Sequence, residues 1–91
     1  MWKIAYAASS ALAADRKALA RESAATAGRI RSAIERLAQD PLGIPGVKLL
    51  VPASAGLFRI KISDWRVVFA LDRGNRAILV VRIARRKDVY R

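Results

Sequence analysis

Residues 56–91, GLFRIKISDWRVVFALDRGNRAILVVRIARRKDVYR, constrain this chain more than any other stretch. Apolar and basic residues alternate there, and side chains on a strand point to opposite faces with a period of two. Phe58, Ile60 and Ile62 take one face of a first strand, and Arg59 and Lys61 take the other. In the next strand Trp65, Val67, Phe69 and Leu71 share a face, with Arg66 turned away. A two-residue turn at Ser63-Asp64 pairs Ile62 with Trp65 and Ile60 with Val67. That register buries the large side chains together. It also sets Lys61 directly opposite Arg66. Two cations abreast are unfavourable on a bare sheet, so the pair points either to an anion held there or to a solvated strand face.

The turn DRGNR at 72–76 is the clearest in the chain. A three-residue loop of Arg73, Gly74 and Asn75 places Leu79, Val81 and Ile83 on the core face and Arg82 beside Arg66 and Lys61. Upstream, residues 2–7 (WKIAYA) read as a strand with Trp2, Ile4 and Tyr6 on one face. Ser9 or Ser10 caps a helix running to Arg21 or Glu22. Its packing face is Leu12 and Leu19 with Ala8, Ala11 and Ala18. A second helix covers 25–39, with Ser23 as a possible cap. Ile30, Ile34, Leu37 and Ala38 form its buried face, and Arg29, Arg31, Glu35 and Arg36 surround that face as solvated residues. Asp40-Pro41 stops it, because the residue before a proline disfavours the helical conformation. Residues 46–51 read as a short strand and 52–55 as a connection. The order of one strand, a two-helix hairpin, then about four strands in an antiparallel sheet is that of an α+β domain. Its helices cover one face, and the other face is open and basic. Replacing Arg66 on that open face by Ala is expected to leave the fold intact.

Residues 1–91 suffice for one domain with one core, and 54% hydrophobic content favours a folded chain. Lys and Arg number 18 against 7 Asp and Glu, a net charge of +11. That excess points to a polyanionic partner: nucleic acid, an acidic membrane surface or an acidic protein. Cysteine is absent, which removes disulfides and thiolate chemistry and is compatible with a reducing compartment. Histidine is absent too, so zinc sites built on His or Cys and any nucleophile–histidine dyad are excluded. No stretch approaches the roughly 20 apolar residues of a membrane span. Asp15, Arg16 and Lys17 interrupt the alanine-rich start, so it does not read as a signal peptide.

The carboxylates are Asp15, Glu22, Glu35, Asp40, Asp64, Asp72 and Asp88, and no two are spaced like a metal cluster. Metal-dependent nuclease and paired-carboxylate glycosidase chemistry are therefore disfavoured, and no phosphate-cradling Gly-rich loop is present. What remains is Lys, Arg and Tyr. Arginine offers phosphate a bidentate fork. Metal-free RNA cleavage must take a proton from the 2′-hydroxyl, stabilise a phosphorane and give a proton to the leaving 5′-oxygen. Lys or Tyr can move protons and Arg can hold charge. DNA lacks the 2′-hydroxyl, so this kit acts on RNA only.

The run GLFRIKISDWRVVFALD, followed by LVVRIARRKDVYR, resembles the RelE/StbE branch of the RelE/ParE toxin superfamily. The likeness covers nearly the whole chain, with the D-V-Y-R ending and the W-R-V-V-F run as its more specific parts. It implies the toxin half of a bacterial type II toxin–antitoxin pair: a cytoplasmic mRNA interferase that cuts message in the ribosomal A site without metal or cofactor. The products would be a 2′,3′-cyclic phosphate and a 5′-hydroxyl. A cognate antitoxin would wrap the basic toxin, in a heterotetramer or larger complex, with no membrane partner. Residue by residue, the resemblance gives proton movement to Lys61 and phosphate binding to Arg59. It gives transition-state stabilisation to Arg66, with Arg86 at the arginine of the relatives' G-H-R segment. Tyr90 would stack on a base or assist at the 2′-oxygen. Arg82, Arg85 and Lys48 are further candidate phosphate contacts. Arg85 stands where many relatives have histidine, and Ala84 where they have glycine. Two other readings stay open: a ParE-like toxin that binds DNA gyrase, whose basic set is typically incomplete, and a non-catalytic nucleic-acid-binding module that works through counterion release.

Overall fold

The computed structural model describes residues 1–49 and 56–85. Its elements are β1 (Lys3–Tyr6), α1 (Ser10–Ala20), α2 (Ala24–Gln39), β2 (Val47–Leu49), β3 (Leu57–Ile62), β4 (Trp65–Asp72) and β5 (Ala77–Arg85). They build one five-stranded sheet in the order β1-β5-β4-β3-β2, with both helices on one face. None of the described helices is long and apolar enough to cross a membrane.

Serine starts both helices. The Ser9 hydroxyl accepts the Leu12 N–H at 3.1 Å, and the Ser23 hydroxyl accepts the Thr26 N–H at 3.2 Å. Each cap satisfies a donor that the first helical turn leaves orphaned, at about 1 kcal/mol. α2 ends at Asp40, whose carboxylate turns to accept the Gly43 N–H at 3.1 Å. The buried face of α2 is Ile30, Ile34, Leu37 and Ala38, as its spacing predicts, with Ala33 added. Ile30, Ala33, Ile34 and Leu37 join Leu12 and meet Ile60, Trp65, Val67, Phe69, Ile78, Val80 and Ile83 in the main core. Phe58 and Phe69 are cross-strand partners, and their rings stack at 5.8 Å.

The β3–β4 register is the expected one: Ile62 faces Trp65, Ile60 faces Val67, and Lys61 faces Arg66. Ser63 carries the turn with φ +55°, a left-handed conformation that non-glycine residues adopt at a cost.

The expected antiparallel sheet of about four strands is β2–β5, and β1 joins it as a fifth strand, parallel beside β5, with Ile4 opposite Ile78. Three expectations are corrected. The β4–β5 loop has four residues, since Asp72 faces Ala77. This shifts the register by one, and a bulge between Val68 and Phe69 shifts it again. The core residues of β5 are therefore Ile78, Val80 and Ile83; Leu79 is exposed, and Val81 packs on the other face. On α1 the alanines at 8, 11 and 18 are exposed, and the buried neighbour of Leu12 is Asp15. Trp2 and Ile4 pack on the core, whereas Tyr6 is exposed beneath the Arg16 guanidinium at 4.4 Å. Finally, the strand expected over 46–51 is β2, and residues 50 and 51 lie outside the described residues.

Candidate nucleic-acid interface

The register decides which cations meet. Lys48 on β2 faces Arg59 on β3, which faces Val68 on β4. One step on, Lys61 faces Arg66, which faces Ala84 on β5. Side chains directly opposite on neighbouring strands share a face. Lys48, Arg59, Lys61 and Arg66 therefore gather on the side of the sheet away from the helices. That side is not uniformly open. Val68 and Ala84 are buried there, and Leu57 and Val81 pack against them to form a small apolar floor.

Arg66 is set into this floor with 6% of its surface exposed, which corrects its expected place on a bare face. One terminal nitrogen donates to the carbonyls of Ser63 and Trp65, each at 3.0 Å. No buried side-chain nitrogen or oxygen among the described residues lacks a partner, so the other guanidinium nitrogens keep contact with solvent. The turn therefore fixes a cation that, among the described residues, has no carboxylate to neutralise it. Arg59 is tied more loosely, by a 3.3 Å bond to the Gly46 carbonyl. Lys48 and Lys61 are exposed, and among the described residues neither has an ion-pair partner. A fixed guanidinium beside a free ammonium can hold a phosphate oxygen and move a proton to or from its neighbour.

Arg82 and Arg85 are used differently. Arg82 faces Val68 and so starts from the side of the sheet that carries Lys61 and Arg66, as expected, but its guanidinium donates twice to the Asp15 carboxylate, at 2.7 and 3.0 Å. Arg85 faces Trp65 across the strands, lies 5.6 Å from its ring, and bonds Glu22 in the turn between α1 and α2 at 3.1 Å. It thus sits on the helix side of the sheet. Arg86 and Tyr90 lie outside the described residues. Sequence reasoning missed the Asp15 pairing, because nothing in α1 itself marks one aspartate as buried. It also set aside Arg29 and Arg36, which line a cleft beside Lys61.

A basic single-sheet domain with two helices on one face is the class of molecule these observations define. The chain belongs to the ParE toxin family of type II toxin–antitoxin systems, whose family model, parDE ParE toxin, matches residues 6–90. Among solved structures it is similar to the Escherichia coli DinJ–YafQ complex, with 17% identity, TM-score 0.76, and 100% of each chain covered. It is similar to the YoeB/ParE toxin from Agrobacterium tumefaciens, with 18% identity, TM-score 0.75, and 91% of this chain and 96% of that one covered. It is also similar to the archaeal RelE–RelB complex from Pyrococcus horikoshii, with 18% identity, TM-score 0.72, and coverage of 97% and 98%. At such identities the likeness is one of fold. No curated protein matches the sequence.

Proposed function

We propose that this toxin is a metal-independent endoribonuclease that cuts messenger RNA, in the ribosomal A site. The observation that carries the reading is the Lys61–Arg66 pair, two cations abreast with the second held rigidly by backbone carbonyls. Such an arrangement costs stability on a sheet unless an anion completes it. In the reaction the 2′-oxygen loses its proton and attacks phosphorus, and the bond to the 5′-oxygen breaks. The products are a 2′,3′-cyclic phosphate and a 5′-hydroxyl. Lys61 carries the proton from the 2′-oxygen to the leaving 5′-oxygen, which departs as a hydroxyl. Arg66 meets the charge that grows on the phosphorane, and its fixed position means little reorganisation as that charge develops. Arg59 and Lys48 hold flanking phosphates. Arg86 and Tyr90 keep the places that the family resemblance gives them, the first at the arginine of the G-H-R segment and the second at the base or the 2′-oxygen. Arg82 and Arg85 serve as partners of Asp15 and Glu22 instead of as phosphate ligands. A cognate antitoxin covers the basic surface, a reading supported by neighbours solved as toxin–antitoxin complexes.

The test is primer extension on ribosome-bound message incubated with the toxin. Cuts bearing 2′,3′-cyclic ends, lost in Lys61→Ala, support the reading; intact message at stoichiometric toxin overturns it. One observation favours a second reading, inhibition of DNA gyrase: the matching family model is described as a ParE toxin. Blocked supercoiling with intact message would establish that alternative.

A further inference from the structure

Beside the face that carries Lys61 lies an open cleft of about 520 Å³, between α2 and the end of β3. Gly28, Arg29, Ser32 and Arg36 of α2 form one wall, and Lys61 and Ser63 form the other. β2 pairs with β3 only over 58–60, so beyond Ile60 no strand among the described residues closes this side. The space above the helix is real: a Cβ added at Gly28 meets nothing within 4 Å. The volume falls in the range of about 300–1,000 Å³ usual for ligand sites.

The charge of the lining is one-sided. Among the described residues three cations and no carboxylate border the cleft, and Arg29, Arg36 and Lys61 have no ion-pair partner there. Arg82 and Arg85, by contrast, are both matched by acids. Lys61 belongs both to the cleft and to the basic face, so the two form one tract that turns round the β3 edge.

We propose that this cleft is a second phosphate site, which holds the backbone of single-stranded RNA next to the phosphate bound at Lys61 and Arg66. This rests on the endoribonuclease reading and extends it. Two arginines and two serine hydroxyls suit phosphate oxygens. Among the described residues no aromatic borders the cleft, so they hold backbone and offer bases no stacking platform. An added peptide strand fits less well, because strand addition needs a longer run of unpaired edge than Lys61 and Ile62 provide. Arg29 and Arg36 are then positioning residues for substrate.

The experiment measures binding of a 2′-O-methyl RNA dodecamer, which cannot be cut, across a salt series, together with cleavage kinetics on ordinary RNA. Arg29→Ala/Arg36→Ala is expected to weaken binding about tenfold and to make the log–log salt slope shallower by about 1.4, the value for two lost contacts on a single strand. Its KM should rise while kcat holds. Gly28→Leu keeps every charge and fills the cleft, and it too should weaken binding. Wild-type affinity and slope in both variants would overturn the proposal while leaving the nuclease reading intact. Weakened binding in both, with no cleavage by any protein, would sink the nuclease reading and leave the phosphate site standing. Loss in the double variant alone would mean diffuse attraction and also overturns the cleft.

Discussion

Asp15 on α1 and Arg82 on β5 meet through hydrogen bonds of 2.7 and 3.0 Å, and the same carboxylate accepts the Ile83 N–H at 2.9 Å. β1 pairs with β5 only as far as Val80. Past that point the carboxylate stands where the carbonyl of a longer β1 would have been. An edge N–H that would otherwise be buried and unmet is thereby satisfied, and the helix is fixed to the sheet.

Asp15→Ala therefore removes two supports together. It leaves the Ile83 N–H unsatisfied and Arg82 without its acid. Breaking a buried pair from one side costs about 3–5 kcal/mol, and Arg82 keeps 25% of its side chain in water, so a loss of about 3 kcal/mol is expected. Urea denaturation measures it. The Asp15→Ala/Arg82→Ala double variant should lose clearly less than the sum of the singles, and simple additivity would show that the pair is not coupled.

Arg66→Ala is expected to abolish cutting and also to lower stability, by about 1–2 kcal/mol, because the Ser63 and Trp65 carbonyls lose their donor. Arg66→Lys keeps the charge but not the fork, so it should recover some stability and little activity. Thermal melts beside a cleavage assay separate the two effects. A fully active lysine variant would show that a point charge is enough.

Asp72 supplies the pH-dependent element of the β4–β5 turn. The Asn75 side-chain amide donates to it at 2.8 Å and the Asn75 N–H at 3.2 Å, and these bonds hold its pKa below the ordinary carboxylate value. The group binds its proton less readily folded than unfolded. Its contribution is therefore complete above the usual carboxylate range and fades as acid carries the pH down through the lowered value. Asp72→Ala should melt below wild type at pH 7, and the two melting temperatures should converge towards pH 2. A constant gap would show that the charged form is not what the turn uses.

The parts of this fold that could be read from the chain were those fixed by local rules. Alternation set β3 and β4, serine caps set both helix starts, and the 62–65 turn set the Lys61–Arg66 pairing. What escaped depended on partners distant in sequence. β1 shows its own alternation but not its parallel place beside β5. The bulge near Val68 leaves no mark in LVVRIAR, yet it decides that Ile83 and not Arg82 faces Val67 in the core. Arg66 and Arg82 look alike as basic residues on strands. One is held by nearby carbonyls, the other by a carboxylate on a helix made much earlier, and only the packed structure tells them apart.

The parallel seam between β1 and β5 has a consequence for how this toxin comes into being. Ile4 cannot find Ile78, nor Asp15 the Ile83 amide, until translation has passed nearly all of the described chain. Contacts between such distant positions close late and slowly. A nascent polypeptide that still lacks β5 is thus an unfinished sheet. The cell has an interval on the ribosome before a harmful protein exists.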